Sequence, residues 1–92
     1  MGILEQAKME AESLDIFEEE EPDYFAVSYL LNILDILQEK QLIKTPEGKE
    51  LQKKVLKYAD KLAPFVKGPP NGETGWWWHM DKVAKGELKP QI

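Results

Sequence analysis

The sequence contains no cysteine, no arginine, a single histidine and no long hydrophobic run. Without cysteine, a disulfide framework, a thiolate metal site and thiol catalysis are excluded. Without arginine, the chain lacks the planar guanidinium group that proteins favour for phosphate and for buried ion pairs. No apolar run is longer than four residues, which argues against a membrane-spanning helix. Charged residues begin at Glu5, so the start of the chain does not resemble a signal peptide. We therefore expect a cytoplasmic protein with no membrane association.

Charge is distributed unevenly along the 92 residues, whose net charge is −5. Residues 1–39 hold eleven acidic side chains and one lysine, whereas residues 40–92 hold eleven lysines and six acids. The negative net charge and the lack of arginine argue against direct nucleic-acid binding. The length predicts one domain that spans residues 1–92.

The most apolar stretch of the chain predicts a central helix over residues 22–40. At 100° per residue, its larger side chains fill one broad arc, and a narrow polar strip lies opposite. The arc contains Ala26, Val27, Leu30, Leu31, Ile33, Leu34 and Leu37, with Tyr29 and Ile36 at its edges, and the strip contains Ser28, Asn32 and Asp35. A helix that is apolar over so much of its circumference is typical of a core helix with neighbours on several sides.

Three further segments have helical patterns. Residues 2–17 carry an amphipathic stripe, and residues 46–62 follow a start signal in which Thr45 caps and Pro46 occupies the first turn. Thr74 can cap a short helix that reaches Lys85 and is terminated by Gly86. Residues 64–75 are a loop rich in proline and glycine, and residues 87–92 form an extended tail. The predicted fold class is all-α: a small bundle of three main helices and a short C-terminal fourth.

Four consecutive glutamates form what we call the acidic segment: Glu18, Glu19, Glu20 and Glu21. Acids suit the positive N-terminal end of the following helix, so one interpretation is a turn and helix start. A second is a docking site for a basic surface, either of a partner or of the lysine face formed by Lys53, Lys57 and Lys61. A third is a divalent-cation site, although the spacing of a calcium-binding loop is absent.

The three tryptophans of the chain are adjacent, and we call Trp76, Trp77 and Trp78 the tryptophan segment. On a helix, Trp76 shares a face with Met80 and Val83, with Trp77 on its flank, whereas Trp78 points to the opposite side. We expect Trp76 and Trp77 to close the core. Because tryptophan is enriched in interfaces, Trp78 is the candidate anchor for a partner.

No group of residues predicts catalysis or cofactor binding. His79 is the only histidine, and no serine or threonine lies in a recognisable nucleophile motif. The stretch 68–74 superficially resembles a phosphate-binding loop, but Glu73 stands where that loop carries lysine. We therefore predict no enzymatic activity, no cofactor and no metal.

The function that fits these features best is a small acidic protein-protein interaction or regulatory protein, with a protein partner or a second copy of the chain. Its candidate partner-binding residues are Trp78, Trp77, His79 and the acidic segment (Glu18, Glu19, Glu20 and Glu21). Two alternatives remain open. One is a small-molecule binder that uses residues 76–79, and the other is an acidic accessory subunit or nucleic-acid mimic.

Overall fold

The computed structural model of the chain describes residues 2–66 and 75–92, so most of the predicted loop 64–75 lies outside the described residues. Within these ranges every regular element is helical, which confirms the all-α class. The α-helices are α1 (Ile3–Ser13), α2 (Tyr24–Glu39), α3 (Pro46–Lys57), α4 (Ala59–Leu62) and α5 (Met80–Ala84). Three 3₁₀ segments accompany them: Leu14–Glu18, Ala63–Phe65 and Trp76–His79.

The number of helices differs from the predicted three plus one because helical patterns do not show where a helix tightens or breaks. The predicted third helix breaks at Tyr58, whose φ of −104° and ψ of 17° are not helical. Its carbonyl accepts from the amide of Leu62, and a new helix begins at Ala59. The first predicted helix ends in a 3₁₀ segment from Leu14, and the last one begins as a 3₁₀ segment at Trp76.

The central helix α2 has a defined cap at each end. The Asp23 carboxylate accepts a hydrogen bond from the Ala26 amide at 2.7 Å, so Pro22 precedes the cap rather than occupying the first turn. At the other end Gln41 adopts a left-handed φ of 60°. The Leu42 amide then donates to the Leu37 carbonyl at 2.7 Å, which completes a Schellman motif.

The apolar stripes predicted from the sequence form the core. Every large aliphatic residue in the predicted arc of α2 is buried, and so is a set of residues at helical spacing within the third predicted helix, residues 46–62. The central core consists of Val27, Leu30, Leu31, Ile33, Leu34, Leu37, Leu51, Val55, Tyr58, Ala59 and Leu62. The N-terminal region contributes three further buried residues to the core, Ala7, Ala11 and Leu14.

Small buried residues allow the N-terminal helix to pack closely on its neighbours. Helix α1 packs mainly on α3 and also on α2, and its buried side is lined by Ala7 and Ala11, whose short side chains permit a close approach. Helix α5 packs on α4. In the described part of the chain, none of the helices has both the length and the apolarity needed to cross a membrane.

Gly48 fixes how the connection after α2 meets α3. A Cβ atom at this position would lie 2.5 Å from the Ile43 carbonyl oxygen and 2.7 Å from that of Leu42. The neighbouring cap Thr45 accepts from the Gly48 amide at 3.2 Å and donates to the Leu42 carbonyl at 2.6 Å. Only glycine leaves room for the backbone of the connection to approach α3 this closely.

Candidate interaction surface

The tryptophan segment is attached to α2 through one carboxylate. Asp35 Oδ1 accepts hydrogen bonds from the indole nitrogens of Trp77, at 2.8 Å, and Trp78, at 2.9 Å. The Trp77 ring is buried, with 2% of its surface exposed, and the Trp78 ring is half-buried against the core. A residue that the sequence placed in the polar strip of α2 therefore holds two aromatic side chains of a distant segment.

The third ring, Trp76, is held by α3. Its indole nitrogen donates to Gln52 Oε1 at 3.1 Å, and Gln52 Nε2 donates to the carbonyl oxygens of Ile43, at 3.0 Å, and Gly48, at 3.3 Å. Gln52 is a buried polar residue whose amide is satisfied on both sides. It joins α3, the connection after α2 and the tryptophan segment.

The arrangement of the three rings differs from the predicted one. The sequence assigned Trp76 and Trp77 to the core and pointed Trp78 away from it, whereas Trp77 alone is fully buried and Trp76 and Trp78 are both half-buried against the core. The reason is that residues 76–79 form a 3₁₀ segment with three residues per turn, so an α-helical projection misplaces their side chains. Gly75 permits the turn, because a Cβ there would lie 2.4 Å from the Trp77 ring.

One residue of the acidic segment, Glu18, forms an ion pair with a lysine of the same chain. Glu18 forms an ion pair with Lys57 at 2.9 Å, and Asp15 binds Lys54 at 2.7 Å. The Tyr58 hydroxyl lies between the two carboxylates, 2.9 Å from Asp15 Oδ1 and 3.1 Å from Glu18 Oε1. We call this group the α1–α3 clamp, because it joins the 3₁₀ segment after α1 to the end of α3. Next to it, the Lys61 ammonium donates to the Phe17 carbonyl.

The clamp perturbs the protonation of its members. The pKa of the Asp15 carboxyl is lowered, chiefly by the hydrogen bond from Lys54 and then by that from Tyr58. The pKa of Glu18 is lowered by the hydrogen bonds from Lys57 and Tyr58, and Glu18 in turn raises the pKa of Lys57. Burial, followed by the two carboxylates, raises the pKa of Tyr58. These shifts favour the ionised clamp at neutral pH.

The other three acids of the segment remain at the surface. Glu19, Glu20 and Glu21 are exposed, and none of them forms an ion pair with a residue that the structure describes. Nor does the described part of the chain contain a group of three or more histidine and acidic side chains placed to hold a metal ion. The acidic segment therefore divides into Glu18, which stabilises the fold, and three acids that extend toward α2.

No element that the structure describes covers one side of α2, contrary to the expectation of neighbours on several sides. Phe25 is 81% exposed, Tyr29 53% and Ile36 37%, and the exposed Asn32 lies among them. These four residues share one side because their spacings of three and four match the helical repeat; we call them the α2 outer face. The ring of Tyr24 meets that of Phe25 edge-on, with centroids 6.0 Å apart.

The α2 outer face contains the candidate residues that sequence reasoning missed. Tyr29 and Ile36 are the edges of the predicted apolar arc, where a helical projection cannot distinguish a buried residue from an exposed one. The available signal was their position beside Asn32, a polar residue that marks the solvent side. Of the residues that were predicted, Trp77, Trp78 and His79 lie together in the C-terminal 3₁₀ segment, with His79 half-buried.

Comparisons with protein-family models, with curated proteins and with solved structures gave no match.

Proposed function

We propose that the chain is a small, acidic, non-catalytic protein-protein interaction protein, and that the α2 outer face is its contact surface. The observation that carries the proposal is the exposure of Phe25 and Tyr29, two aromatic rings one turn apart on the central helix. Exposed apolar residues that occur singly need no explanation, but a contiguous group is typical of an interaction site. Aromatic residues are also enriched among those that dominate binding energy.

The surroundings of the face support this role. Glu19, Glu20 and Glu21 lead into its N-terminal end, so that charged residues border an apolar centre, as in other protein interfaces. Trp78 lies beside α2 through its bond to Asp35, the residue before Ile36. Under this proposal the half-exposed Trp78 ring borders the contact surface, and Glu19, Glu20 and Glu21 orient the partner.

The test is site-specific photo-crosslinking in the cells that make the protein. A photoreactive phenylalanine analogue replaces Phe25, and matched controls carry it at Met9 and Glu12, which are exposed on α1. We expect a discrete covalent adduct with a protein from position 25 and none from the two controls. The same adducts from all three positions, or no protein adduct from position 25, would contradict the proposal.

The two alternatives predict other outcomes of the same work. A small-molecule binder that uses residues 76–79 would show ligand-dependent tryptophan fluorescence without an adduct at position 25. A nucleic-acid mimic would lose its partner when Glu19, Glu20 and Glu21 are replaced by glutamine but would tolerate Phe25→Ala. The cytoplasmic location remains a prediction from the sequence.

A further inference from the structure

We draw no further inference here: the strongest candidate, the α2 outer face around the exposed Phe25 and Tyr29 rings, carries nothing beyond the proposed function, because nothing in the described part of the chain shows what covers it.

Discussion

At the scale of single residues, Asp35 is the side chain that attaches the tryptophan segment to α2. One of its carboxylate oxygens accepts from two indole nitrogens, one of which belongs to the buried Trp77. A buried donor that loses its acceptor costs more free energy than the average hydrogen bond contributes, since water cannot replace the acceptor. The attachment of the C-terminal segment to α2 therefore depends strongly on this side chain.

Replacing Asp35 by alanine should lower the free energy of unfolding by about 2–3 kcal/mol. Asp35→Asn retains a carbonyl acceptor and should cost about 1 kcal/mol. Chemical denaturation measures both, with tryptophan fluorescence as a second signal, since the loosened rings of the alanine variant should emit at longer wavelength.

The control for Asp35 is Asp60→Ala in α4, an exposed aspartate. Its effect should remain within about 0.5 kcal/mol, as for most surface substitutions. Equal effects of Asp35→Ala and Asp60→Ala would show that the two indole hydrogen bonds contribute nothing to stability.

At the scale of elements, the C-terminal end of α2 requires a backbone conformation that its residue, Gln41, does not favour. Gln41 adopts a φ of 60°, a region that costs a residue with a Cβ atom roughly 1–2 kcal/mol. Glycine is the usual residue at this position of a Schellman motif. The turn persists because Leu42 must return toward the core, where it is partly buried.

Gln41→Gly should therefore raise the free energy of unfolding by about 0.5–1 kcal/mol, the relief of strain being partly offset by the added freedom of the unfolded chain. Thermal and urea denaturation measure the change. Gln38→Gly, at an exposed position within α2, serves as the opposite control and should lower stability by a similar amount. A loss of stability in both variants would show that Gln41 is not strained.

At the scale of the whole molecule, the α1–α3 clamp joins the acidic N-terminal half of the sequence to its lysine-rich C-terminal half. Asp15 with Lys54, and Glu18 with Lys57, connect positions 39 residues apart. The uneven charge of the two halves is thus partly neutralised by folding. Exposed pairs of this kind contribute modestly to stability, and their contribution depends on pH.

The clamp predicts how stability changes with acid. Because the pKa values of Asp15 and Glu18 are lowered in the folded state, the unfolded chain binds more protons as the pH falls, and acid favours unfolding. The contribution is complete above the ordinary carboxyl pKa values and is lost as the pH falls through the lowered ones. The melting temperature should therefore decline between about pH 5 and pH 2.

Asp15→Asn should lower the melting temperature at pH 7 and reduce its dependence on pH in this acidic range. Glu12→Gln, an exposed acid on α1 outside the clamp, is the control and should retain the wild-type pH profile. If the profiles of Asp15→Asn and the wild type ran parallel down to pH 2, the clamp would not be the source of the pH dependence.

The sequence alone determined the all-α class, the position of the central helix and most of the core. Leu30, Leu34 and Leu37 repeat at helical spacing, and burial of such a stripe is the largest favourable term in folding. Local signals with a direct chemical cause were also sufficient for the cap at Thr45 and the terminator at Gly86, whose φ of 78° suits glycine. These features are determined by residues within a few positions of each other, so the sequence is sufficient to predict them.

Tertiary structure alone decided what the edges of the helices contact. Asp35 was one of three polar residues in a strip, and only the approach of the tryptophan segment made it an acceptor for Trp77 and Trp78. Conversely, Tyr29 resembles a core residue in the pattern, yet no described element covers it. The role of Asp35 depends on tryptophans more than forty positions away, and the exposure of Tyr29 depends on the lack of a described neighbour. A helical projection of α2 contains no information about residues so distant in the chain.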